Sequence, residues 1–283
     1  MTTARRKAPV TADMQMIMEM LAYPFMQRAF IAGIVLGILL ASLGIFVTVR
    51  KMSFFGDGIA HSSLAGIAVA VLTGLSPLPV ALVWALLVAL LIWRLERSTR
   101  LSSDMLIGVF FTASMALGIL LMSLTRGYQP ELVSFLFGSI LTIQTFDLMI
   151  IVAVASLIMA WLIASFKSLT FMSLAEDSAN VSGINVPAHT AALYVALAFA
   201  TVLGVKILGI ILVSALIILP AAASRMLSDS FRGYVVMTMI VSELMILSGL
   251  MLSYLYDLPS GATIVLVGAG FFFTATVFRL LRR

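Results

Sequence analysis

The chain alternates long apolar runs with short polar or Gly/Pro-bearing breaks. Most runs are roughly 18–24 residues, enough to cross the hydrocarbon core of a bilayer as a helix. Spans are expected at about 28–49, 57–75, 77–94, 104–124, 146–166, 188–203, 208–223, 234–255 and 263–280. The runs lack the alternation of membrane β-strands, which excludes a barrel. One run, 131–141, is too short to cross. With Phe137, Gly138 and Ser139 inside it, it reads as a half-helix or re-entrant segment that must be buried in protein.

Residues 1–25 stand apart as an N-terminal tail and a short Met-rich amphipathic helix at the membrane interface, ahead of a transmembrane domain over 26–283. Asp13, Gln15 and Glu19 interrupt its apolar part, and no small-residue cleavage pattern follows, so a signal peptide is not expected. The longest polar interruption is 167–187, KSLTFMSLAEDSANVSGINVP. There a short helix at about 173–181, a stop at Gly183 and a new start at Pro187 follow ordinary capping logic. A tight turn is expected over Gly204–Gly209, and Pro220 should kink its helix. Gly33, Gly37 and Ala41 form a small-residue stripe that admits a neighbouring helix closely.

Composition sharpens the class. Of 283 residues, 62% are apolar and 10% charged, against about 25% charged in a soluble domain. The reading is an all-α polytopic integral membrane protein with 8–9 transmembrane helices. The net charge of +5 comes from cations at helix ends, not from a patch suited to nucleic acid. Placing 50–56, 94–103, 167–187, 225–233 and the C-terminus in the cytoplasm puts eleven of the 17 cations inside and six outside. That gives nine crossings with an external N-terminus. The Arg5–Lys7 cluster argues instead for eight and an internal one. With no cysteine, disulfides and thiolate chemistry are excluded.

The polar chemistry concentrates in RKMSFFGDGIAHSSLAG, residues 50–66. Asp57 and His61 are four apart, on one helix face one turn from each other. Ionisable groups at membrane depth are expensive and mark function by default, and this pair reads as half of a candidate divalent-metal site. Asp57 also opens an apolar run as a plain N-cap would. Glu243 lies mid-span and should face the bundle interior, as part of a secondary polar path or as a structural hydrogen-bonding group. His189 reads as a helix-start residue, Lys206 as a snorkelling one, and the 18 methionines as packing. No GxxxxGK[ST] phosphate loop and no His-Glu-x-x-His occurs, so neither ATP hydrolysis nor zinc proteolysis belongs to this chain. A proton-driven secondary transporter, with Asp57, His61 and Glu243 as relay, is the main rival reading.

Four blocks together carry a resemblance: RKMSFFGDGIAHSSLAG, FGSIL at 137–141, SLAEDSANVSGIN at 173–185 and LGIILVSALIILPAAASR at 208–225. In this order and spacing the chain resembles the membrane permease subunit of zinc/manganese/iron ABC importers, the ABC-3 family that works with cluster 9-type binding proteins. The resemblance implies a type II permease fold like that of the vitamin B12 importer. It implies a homodimer in the cytoplasmic membrane with two copies of a cytoplasmic ATPase subunit, and an extracytoplasmic metal-binding protein that delivers the ion. It places Ala175, Glu176, Asp177 and Gly183 in the ATPase-coupling region of about 167–187, and Asp57 and His61 in the family's metal-holding Asp-xxx-His pair. Two copies would then bring together four N/O ligands, suited to Zn²⁺ and, with added waters, to Mn²⁺. The HSSLAG sequence, with Ala65 where many manganese and iron members carry proline, leans to zinc as the transported ion, with no resident cofactor. Ser139 stands where the family often has a carboxylate or amide, which puts a metal-contacting role for that segment in doubt.

Overall fold

The computed structural model describes residues 22–99, 101–124 and 143–282. Among them are ten helices and no strand. These are α1 (Pro24–Val49), α2 (Phe55–Thr73), α3 (Pro77–Ser98), α4 (Ser103–Ser123), α5 (Thr145–Leu174), α6 (Glu176–Val181), α7 (Val186–Leu208), α8 (Ile210–Leu227), α9 (Phe231–Tyr256) and α10 (Ser260–Leu281). All but α6 are long and apolar enough to cross a membrane, nine candidate spans among the described residues. The expected re-entrant segment at 131–141, with Ser139, and the interfacial helix before residue 22 lie outside the described residues.

Local sequence sets the ends. Pro24 and Pro77 sit in the first turns of α1 and α3, where a missing N–H costs nothing. The Ser102 and Ser230 side chains cap α4 and α9, and the Asn185 side chain caps α7. Gly74 ends α2 and Gly183 follows α6, both with positive φ, at 69° and 83°.

Several boundaries differ from the hydropathy reading. Helix α5 runs on through Lys167 to Leu174, so only 175–185 interrupts the helices, and α6 begins at Glu176 rather than near 173. Its 30 residues span about 45 Å, longer than a bilayer core of about 30 Å. Buried Leu169 and Met172 keep that extension packed. Helix α3 likewise continues past Arg94 to Ser98. Helix α7 passes straight through the expected turn at Gly204 and breaks only at Gly209, where φ is 80°. At Gly204 a Cβ would meet Val213 of α8 at 2.9 Å, so this glycine serves a close helix crossing and not a turn.

Helices α1, α2, α7 and α8 form the buried centre, while α3, α4, α5 and α10 turn most of their apolar surface outward. Outward leucine, valine and phenylalanine suit hydrocarbon surroundings. Of the small-residue stripe of α1, Gly37 meets a neighbouring helix closely, and Gly44, outside the stripe, adds a second close contact. A Cβ on Gly37 would collide with Ile246 of α9, and one on Gly44 with the Ile217 carbonyl of α8.

The turns α1–α2, α3–α4, α5–α6–α7 and α8–α9 gather at one end of the bundle. Arg50, Glu96 and Glu176 share one polar cavity there, while Val49, Leu174, Arg225 and Asp229 line another. Arg279 near the end of α10 donates to the Arg225 carbonyl at the same end. These are the loops whose cations suggested a common side. At α5's other end, Lys206 does not snorkel freely but pairs with Asp147 at 2.7 Å.

Candidate metal-translocation site

Helix α2 starts at Phe55, so Asp57 falls in its first turn rather than at the cap, where no side chain bonds. A carboxylate there is favoured by the helix dipole. Its Oδ1 accepts a hydrogen bond from the Ser214 hydroxyl of α8. One turn on, the His61 ring stands edge-on to Phe111 of α4, with centroids 5.0 Å apart and planes at 87°. His61 Nδ1 is buried without a hydrogen-bond partner. Buried ring nitrogens normally have one, so this imidazole holds unused ligand capacity.

Asp57 and His61 face a shared cavity of about 400 Å³ between α2 and α4, lined also by Phe54, Gly58, Asp104, Ile107, Gly108 and Phe111. The two helices can flank it closely because their contact residues are small. Gly58 leaves no room for a Cβ beside Ile107, and Gly118 lies against the Leu64–Ala65 backbone. Asp104 is a residue the sequence reading missed. It sits in the first turn of α4, on the cavity wall with Phe54. The available signal was its position, an acidic residue opening an apolar run as Asp57 does.

Among the described residues of one chain, no three His, Asp or Glu side chains converge as a complete metal centre. One chain therefore offers the Asp57–His61 pair, with Asp104 elsewhere on the cavity wall.

The other candidates separate into two places. Ala175, Glu176, Asp177 and Gly183 all belong to α6 and its flanks, at the end of the bundle that carries the turn leading into Asp57. Glu176 lies 4.0 Å from Arg50, the residue that closes α1. Glu243, by contrast, does not line the Asp57–His61 cavity. It faces α1, where its Oε1 is buried without a partner and lies 2.9 Å from where a Cβ of Gly37 would be. Beside it, Ser242 donates to the Gly37 carbonyl at 3.1 Å.

The sequence profile of the ABC 3 transport family matches residues 22–279, nearly the whole chain. This chain belongs to the ABC 3 transport family. Among its relatives, the high-affinity zinc uptake system membrane protein ZnuB of Haemophilus influenzae is 33% identical over 251 residues, covering 89% of this chain and 96% of that protein. The manganese transport system membrane protein MntC of Listeria monocytogenes is 31% identical over 259 residues, covering 92% of each. Among solved structures, PsaBC from Streptococcus pneumoniae, in complex with Fab, superposes with a TM-score of 0.80 at 30% identity, over 93% of this chain and 94% of that one. An inward-facing ABC transporter superposes at 0.71 over 98% of this chain and 91% of that one, with 17% identity, a likeness of fold alone. The ABC 3 chain thus has the all-α ABC permease architecture that its motifs implied.

Proposed function

We propose that this chain, a membrane permease of the metal-importing ABC family, carries zinc through a site formed by Asp57 and His61. The observation that carries the reading is the shared cavity, with a carboxylate fixed by Ser214 beside an imidazole whose buried Nδ1 has no partner. Carboxylate and imidazole are ligands for zinc and manganese alike. One chain supplies two such ligands, and two copies related by a two-fold axis would supply four, a tetrahedral set. The dication would offset the cost of two desolvated carboxylates. Without thiolates, the site would hold the ion weakly enough to release it.

The relatives named for zinc and for manganese are almost equally similar. The choice of zinc therefore rests on the HSSLAG sequence with Ala65. Two cytoplasmic ATPase subunits would dock at α6 and its flanks, Ala175 to Gly183, and an extracytoplasmic binding protein would deliver the ion. The C-terminus would lie in the cytoplasm. Glu243 and Ser139 are assigned to a secondary polar path.

The test is metal uptake by elemental analysis in cells lacking their own zinc and manganese importers. They would express this chain with its ATPase and binding protein. Zinc accumulation lost both in Asp57→Ala and with an ATPase unable to hydrolyse ATP is the expected result. Accumulation that survives loss of ATP hydrolysis would make the chain a proton-driven transporter instead.

A further inference from the structure

Between α6 and the metal cavity lies a polar cluster that the transport reading leaves unused. Its centre is Glu96, near the end of α3, beside a cavity of about 330 Å³ lined also by Arg50, Arg97, Glu176, Asn180 and Thr190. Both Glu96 carboxylate oxygens are engaged. Oε2 accepts from the Tyr194 hydroxyl of α7 at 2.6 Å, and Oε1 accepts from the Ser103 hydroxyl at the start of α4. Tyr194 is fully buried, and its ring packs on Phe55 with centroids 4.9 Å apart. A half-buried carboxylate and a buried phenol are costly to keep unless both are satisfied, and here they satisfy each other.

The neighbours of this cluster are specific. Ser103 directly precedes Asp104, and Phe55 lies two residues before Asp57. Glu96 therefore ties together the first turns of both helices that wall the metal cavity, α4 through Ser103 and α2 through Tyr194 and Phe55. On its other side, Tyr194 sits about 12 Å along α7 from Val186, where that helix emerges from the α6 segment. The base of α7 is pinned to α3 as well, since Trp93 Nε1 donates to the Pro187 carbonyl at 3.2 Å. By comparison the Arg50–Glu176 pair, at 4.0 Å with Glu176 58% exposed, holds α6 only weakly. Displacement of α6 by a docked ATPase would reach the cavity walls through α7 and Glu96.

We propose that Glu96, with Tyr194 and Ser103, is a positioning centre that converts movement of α6 and α7 into movement of the α2 and α4 first turns bearing Asp57 and Asp104. This rests on the metal-import reading above.

The experiment reconstitutes the whole complex, this chain with its ATPase and binding protein, in proteoliposomes. It measures zinc moved per ATP hydrolysed, alongside zinc affinity and thermal midpoint. Tyr194→Phe removes one hydroxyl and keeps the ring on Phe55, Ser103→Ala removes the other bond, and Glu96→Ala removes both. In each variant the ions moved per ATP should fall by roughly 2- to 30-fold, the span seen for coupling residues, with zinc affinity unchanged. The Tyr194→Phe/Glu96→Ala double variant should lose no more than Glu96→Ala alone, because that change already removes the Tyr194 bond. A wild-type ratio in the folded variants overturns the positioning role, and so does a drop in zinc affinity large enough to explain the loss. If the wild-type complex itself moves no zinc with ATP, the import reading fails first and separately.

Discussion

Ser214 of α8 donates its hydroxyl to Oδ1 of Asp57 on α2, a bond between residues 157 positions apart in the chain. It aims one carboxylate oxygen and leaves the other for a ligand. Partners of this kind fix ligand orientation, and removing one typically costs 10–100-fold in metal affinity. Ser214→Ala is expected to weaken zinc binding by about that factor, read by competition with a chromophoric chelator, without loss of the folded protein. Unchanged affinity would mean that the bond serves only helix packing.

The α1–α8 crossing admits no side chain at Gly44, where a Cβ would overlap the Ile217 carbonyl. That neighbour is backbone and cannot rotate away. Gly44→Ala should therefore destabilise by about 1–3 kcal/mol, the usual cost of overpacking. At Gly270 a Cβ meets nothing within 4 Å, so Gly270→Ala should be neutral or stabilise by up to about 1 kcal/mol through helix propensity. Thermal midpoints of the two variants in the same detergent make the comparison.

Glu243 keeps a buried carboxylate oxygen without a partner, against α1 and off the cavity that holds Asp57 and His61. Such a group is costly to retain in a membrane bundle unless it serves the path. Glu243→Gln should leave zinc affinity within about twofold, because the residue is not a cavity ligand, while slowing transport. A wild-type transport rate in liposomes would return Glu243 to a purely structural place.

How much of this was legible in the sequence depends on the kind of signal. Apolar run length and Gly/Pro punctuation are local, so the order of the spans and the stop at Gly183 could be read directly. Hydropathy reports the solvent around a residue and not its backbone. Helices that continue past their apolar runs were therefore cut short at Phe166 in α5 and at Arg94 in α3. Gly204 looked like a turn because a glycine that permits close packing and one that permits a turn are the same letter. The Asp57–His61 pair was visible through its four-residue spacing. Ser214 and the Glu96–Tyr194 bond were not, since each depends on helices far apart in sequence coming together, while Asp104 carried only its place at the start of an apolar run.

The Lys206–Asp147 ion pair is another such contact, 59 positions apart, with the two side chains 38% and 23% exposed. Partial exposure limits its worth. A double-mutant cycle with Lys206→Met and Asp147→Asn should give a coupling of about 1 kcal/mol, falling as salt rises. A coupling insensitive to salt would contradict the exposed geometry.

Zinc content and X-ray absorption on the purified complex in nanodiscs show whether Asp57 and His61 of two chains hold the transported ion. Wild type, Asp57→Ala and His61→Ala would be compared at equal folded protein. One zinc per two chains is expected, in a shell of nitrogen and oxygen only, lost in both variants. Zinc retained at the same stoichiometry and shell in either variant would contradict it.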